Sequence, residues 1–275
     1  MPGDPQLFAF ALKIVLTAAI VVAAARATER AGPLLGALIV TLPISAGPAY
    51  VFLALQHEPE FIAASALGSL AVNALNGVFG LVYAALAQRR GLFVSVATAL
   101  AVWVILAAAL RSVEWTLARG ILLNVAVYAV CLPLAARFRD AAMPIYRRCW
   151  YDAPLRALLV CAIVTAALAL STRVGPTTTG ILATAPIVMT SMALILQPRV
   201  GGKVSAAVIA NGLTGLVGFG VSLLVLHAAV LAFGNAAGLV LWVLSSMTWN
   251  LGLWAVWRRR IPVRAPARIG QDRPR

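Results

Sequence analysis

Apolar residues fill the chain in long blocks, and the short breaks between blocks carry almost all of its charge. Nine blocks can be drawn, at 7–25, 33–56, 61–87, 92–110, 116–136, 155–172, 177–196, 203–227 and 236–257. Each suits a helix crossing roughly 30 Å of hydrocarbon, which takes about 20 residues. None shows the regular polar alternation of a membrane strand, so helices are predicted and an outer-membrane barrel is not. The fold class expected is all-α, a polytopic membrane protein of about nine transmembrane helices. The first block lacks a basic stretch before it and a small-residue cleavage site after it. It is expected to stay as a helix and not to be removed as a signal peptide.

Composition agrees. Of 275 residues 62% are hydrophobic and 11% charged, with a mean hydropathy of +0.95. A water-soluble domain of this size could not cover that much apolar surface. The net charge of +14 changes the picture only through its distribution. With the basic tail (258–275) placed in the cytoplasm, alternation puts eighteen Arg and Lys on that side. Three (Arg111, Arg119 and Arg173) fall outside, and Lys13 lies within the first block. This asymmetry predicts an inner-membrane, multi-pass chain with its N-terminus outside and its C-terminus cytoplasmic. It also removes the need for a nucleic-acid partner. The tail, rich in Pro and Arg, is expected to be disordered and to act as a topology anchor.

Two proline-broken blocks expose an internal repeat. GPLLGALIVTLPISAGPAY (32–50) and GPTTTGILATAPIVMTSMA (175–193) start alike, and Pro33/Pro176 and Pro43/Pro186 are both 143 residues apart. The same offset relates Lys13 to Arg156 and Arg30 to Arg173, while Gln56 and Gln197 close the two blocks. Four blocks repeat, and the fifth stands between them. An odd linker turns the second copy over. The expected organisation is a four-span unit at 1–111, a linking helix at 112–141, an inverted four-span unit at 142–257 and the tail. Inverted repeats are a common ground plan of secondary transporters, and their discontinuous helices often form the substrate site.

The candidate site follows from the repeat. Pro43 and Pro186 each remove a backbone donor and free a carbonyl four residues back. Thr41, Ser45, Thr184 and Thr190 lie near enough to take up freed groups. Asn73, Asn76, Asn211 and Thr214 supply amides and a hydroxyl in the helices that follow, with Asn124 in the linker. Lys13 and Arg156, near opposite faces, would suit an anionic solute together with half-helix N-termini. The substrate-binding set expected is Lys13, Arg30, Thr41, Pro43, Ser45, Gln56, Asn73, Asn76, Arg156, Arg173, Thr184, Pro186, Gln197, Asn211 and Thr214. The competing reading is structural: snorkelling cations, packing kinks and helix–helix hydrogen bonds.

Absences narrow the class. No Asp or Glu lies deep in a block, so no buried-carboxylate proton relay is expected. His57 and His227 fall at block ends. The three cysteines, Cys131, Cys149 and Cys161, have no metal-ligand spacing. No catalytic triad or phosphate loop is present. Neither an enzyme nor a cofactor is expected. The expected partners are the lipid bilayer, a small solute or ion, and a second copy of the chain.

Lys13…Arg30-x-Gly32-Pro33 followed by GALIVTLP (36–43), and Arg156…Arg173 followed by GILATAP (180–186) and QPRVGGK (197–203), resemble the small four-span bacterial proteins of the GlpM-like group. The resemblance covers about three spans of each half and implies a duplicated, fused version of that unit. GSLAVNALNGVFG (68–80) is also similar to a helix of the dual-topology fluoride channels, although their Thr-Thr-Phe-Ser motif is missing. The function expected is transport of a small solute by alternating access. The alternatives are a non-transporting scaffold of an envelope pathway and a small-ion channel.

Overall fold

The computed structural model describes residues 46–141 and 152–260, together with Ala19. Every regular element among them is a helix: α1 (Ala46–Ala54), α2 (Pro59–Ala87), α3 (Leu92–Leu110), α4 (Leu117–Ala136), α5 (Asp152–Ala183), α6 (Ile187–Val200) and α7 (Gly202–Arg260). Five stretches of these are long and apolar enough to cross a membrane: α2, α3, α4, Ala157–Val200 and Gly202–Val256. The block at 7–25 apart from Ala19, most of the block at 33–56, and Lys13, Arg30, Thr41, Pro43 and Ser45 lie outside the described residues.

Local chemistry sets the helix ends. Pro59 opens α2, where its missing N–H costs nothing and its φ suits the first turn. The Thr116 hydroxyl accepts from the Arg119 N–H and caps α4. The last two stretches are longer than the blocks predicted, because the expected loops shrink to single glycines. Residues 228–233 are apolar and contain no helix breaker, so the helix runs on to Gly234. Gly234 has φ +80°, open to glycine and strained for other residues. Gly175 (φ +76°) and Gly201 (φ +83°) do the same work elsewhere.

At Gly234 the chain folds back. The Trp242 indole donates to Ser222 Oγ at 3.2 Å, Gly218 lies against Trp249, and Gly238 against Val230. Numbers fall in one arm as they rise in the other, so arms 202–233 and 235–260 form an antiparallel pair.

All the other long helices gather around α2. Gly68 meets Thr177, Ser69 bonds Gly180, Asn76 bonds Thr184 and Tyr83 bonds Gln197, so the arm 176–183 and α6 run parallel to α2. Leu70 and Asn73 bond Asn124 and Tyr128, so α4 is parallel too. Ser205, Leu213, Leu216 and His227 meet Tyr83, Gly80, Asn73 and Ala63, so the arm 202–233 is antiparallel. Turns 88–91, 137–139 and 201–203 therefore meet at one end, which carries Arg89, Arg90, Arg137, Arg139 and Lys203. Residues 55–58, Ser171 and Asn235 meet at the other.

The core has two parts. One joins Tyr50, Leu53, Ile62 and Leu70 of α1 and α2 to Val160, Val164, Leu223, Leu226 and Trp242. The other joins Val72, Leu75, Phe79 and Tyr83 of α2 to Trp103, Ile209 and Leu213. Large apolar side chains of α3 and α4 (Phe93, Val104, Ile105, Leu122, Val125 and Val130) face outward, as lipid contact requires.

Candidate functional site

The helical ladder is interrupted where the proline spacing predicted, between α5 and α6. Residues 184–186 leave the helix, and Pro186 has φ −76° and ψ 47°. Ala185 N–H falls back on the Leu182 carbonyl (3.2 Å), and the ladder resumes with Thr190 N–H on the Pro186 carbonyl (2.9 Å). The Thr190 hydroxyl also donates to the Pro186 carbonyl (2.8 Å), and Thr184 Oγ1 donates to the Gly180 carbonyl (2.8 Å).

The Thr184 carbonyl at the end of the half-helix is taken by α2. Asn76 Nδ2 donates to it at 2.9 Å, and the Trp103 indole donates to Asn76 Oδ1 at 2.9 Å. Asn76 thus links α3, α2 and the break. Two turns earlier, glycine allows backbone contact between helices. Gly180 lies on the backbone of Ser65 and Ser69, and Gly68 on that of Thr177. Ser69 Oγ donates to the Gly180 carbonyl (2.8 Å), which leaves it to accept from the Tyr50 hydroxyl (2.6 Å).

Asn73 is fully buried between these sites. Its Nδ2 donates to Asn124 Oδ1 (2.9 Å) and to the Leu216 carbonyl (3.0 Å). Asn124 in turn donates to the Leu70 and Gly120 carbonyls (2.7 and 2.8 Å). Among the described residues, Asn73 Oδ1 and Ser65 Oγ have no hydrogen-bond partner. Near the basic end, Tyr83 donates to Gln197 Oε1 (2.9 Å) and bonds Ser205 (2.7 Å), while Gln197 Nε2 reaches the Arg90 carbonyl (3.3 Å).

The expected site residues therefore divide. Asn73, Asn76, Thr184, Pro186 and Gln197 form one polar seam along α2. Asn211 and Thr214 stand apart, with Asn211 donating to the Arg139 carbonyl (3.3 Å) and Thr214 to the Asn211 carbonyl (2.8 Å). Gln56 and Arg173 are exposed toward the opposite end. Arg156 belongs to α5, and its side chain lies outside the described residues. Sequence reasoning missed Tyr50, Ser65, Ser69, Tyr83, Trp103 and Ser205. Ser65 and Ser69, four apart beside Gly68, carry the small-residue spacing of close helix packing and could have been found that way.

At the end opposite the basic turns, His57 stacks on Phe61 (ring centroids 3.8 Å apart). Its Nε2 is 3.0 Å from Ser171 Oγ, whose proton goes to the Leu168 carbonyl, so the ring donates. Partial burial holds its pKa below the ordinary imidazole value. No group of three or more metal-ligating side chains is present among the described residues. No protein-family model, curated protein or solved structure matches the chain.

Proposed function

We propose that the chain is a secondary transporter of a small solute, built from two inverted units whose shared interface is the polar seam on α2. One observation carries the reading. Asn73 Nδ2 bonds the carbonyl of Leu216, a residue 143 positions later, which is the offset of the sequence repeat. Positions equivalent under a two-fold rotation touch only at the axis. Helix starts support the same offset: Pro59 and Gly202, Leu92 and Asn235, with Gly91 and Gly234 preceding the latter pair. The helices bearing Asn73 and Leu216 are antiparallel, as an axis in the membrane plane requires.

On this reading the break at 184–186 is the half-helix junction where alternating access is centred. The charge asymmetry orients the chain in the inner membrane with its basic end cytoplasmic. Lys13 and Arg156 are the cations an anionic solute would meet. The scaffold reading draws on a different observation, that Asn76, Thr184 and Gln197 are satisfied by protein groups.

Site-directed labelling separates the two without knowing the solute. Ala185→Cys, with the three native cysteines replaced by serine, is exposed to membrane-impermeant maleimide from each side of sealed vesicles. A carrier labels from both sides in alternation. Protection from both sides defeats the transport reading and leaves the scaffold.

A further inference from the structure

Three segments border an open pocket at the basic end: the last turn of α2 with the turn after it, the turn after α4 and the first turn of α7. Ala85, Gln88, Arg89, Phe138 and Lys203 line it, and its volume is about 620 Å³. Arg89 and Lys203 are both exposed, and neither has an acidic partner among the described residues. Asp140, itself exposed, is the single carboxylate in these segments.

One feature marks the pocket as unfinished. Lys203 stands in the first turn of a helix with no acidic residue there, so its charge opposes the helix dipole. An anion held between Arg89 and Lys203 answers it.

We infer that this pocket binds the phosphate of an anionic phospholipid headgroup, whether or not the protein transports. Arg89 and Lys203 supply the charge, and Phe138 the apolar wall. Lipid fits better than a soluble anion because of what lies next to the pocket. Phe93 and Val94, just beyond the turn, are 84% and 47% exposed, and Leu134 on α4 is 36% exposed. Acyl chains of a bound lipid would run along them. Basic pockets between membrane helices recognise such headgroups, and each cation contributes roughly a five-fold gain in affinity.

The test uses the full-length protein in detergent, with lipid retention read by native mass spectrometry and thermal stabilisation. The probes are phosphatidylglycerol, phosphatidylcholine and inorganic phosphate. Phosphatidylglycerol is expected to bind the native chain best. R89Q and K203Q each weaken it roughly five-fold, and the double variant roughly twenty-five-fold. Ala85→Glu weakens it while keeping both cations, which guards against a folding defect in the charge variants. Equal retention of the two lipids, or unchanged binding by the double variant, overturns the site. Protection by inorganic phosphate as strong as by phosphatidylglycerol overturns the headgroup and assigns the pocket to a soluble anion.

Discussion

Helix α2 and the arm 202–233 are alike in backbone and unlike in chemistry. They start 143 residues apart, have similar lengths and pack against each other in opposite directions. Yet α2 brings Ser65, Ser69, Asn73, Asn76 and Tyr83 into the interior. Where α2 has Asn73 and Asn76, the arm has Leu216 and Phe219, and it contributes a carbonyl and small residues instead. The difference teaches that two helices of one backbone shape need not share their chemistry. At the centre of the interface one helix carries the amide side chains while the other supplies an acceptor and room; only toward the ends does the arm contribute side chains of its own, Ser205 to Tyr83 and His227 to the Ala63 carbonyl.

Glycine substitution gives the largest break of that comparison. A Cβ at Gly68 of α2 meets the Thr177 backbone, which cannot rotate away, whereas one at Gly212 of the arm meets nothing within 4 Å. Gly68→Ala should destabilise by about 1–3 kcal/mol, the usual cost of overpacking. Gly212→Ala should be neutral or stabilising by up to about 1 kcal/mol through helix propensity. Thermal midpoints in one detergent check both. Equal losses would mean that the two helices are equally crowded.

The same contrast explains what could be read from the chain alone. The spans 61–87, 92–110 and 116–136 were legible to within two residues, because charged or glycine-containing turns interrupt the apolar pattern there. The break at Pro186 was legible because a missing donor has one consequence wherever it sits. The turns at Gly175 and Gly234 were misjudged in length. Apolar residues next to a glycine give no sign of whether the helix stops or continues. The seam was half legible: Asn73, Asn76 and Gln197 are conspicuous in an apolar helix. Ser69 and Tyr50 are common in such helices, and only the fold shows that they share a proton-donor chain ending on the Gly180 carbonyl.

Removing a single amide sharpens the comparison at smaller amplitude. Asn76→Leu strands the Trp103 indole N–H and the Thr184 carbonyl together. The expected loss is about 1–2 kcal/mol, between the cost of an orphaned buried group and the average for a membrane hydrogen bond. Asn211→Leu on the arm should cost about 0.5 kcal/mol. Its amide is half-buried, bonds its own helix and makes one long contact with Arg139. Unfolding in graded SDS measures both, and a reversed order would place the structural seam on the arm.

The smallest effect lies at the histidine end. Burial lowers the His57 pKa, so folding favours the neutral ring. The unfolded chain, with an ordinary imidazole near about pH 6.5, takes up its proton first as the pH falls. The contribution of His57 to stability is therefore complete above about pH 6.5 and is lost as the pH drops through the lower folded value. Unfolding midpoints from about pH 7.5 to 5 should fall slightly in the native protein and less in His57→Gln. The slope is small because the ring is only partly covered, and because Ser171 can still accept from the charged form. A native profile that rises on acidification would mean that the ring gains a negative partner on folding, and the two ends of the bundle would then differ in a way opposite to that drawn from Arg89 and Lys203.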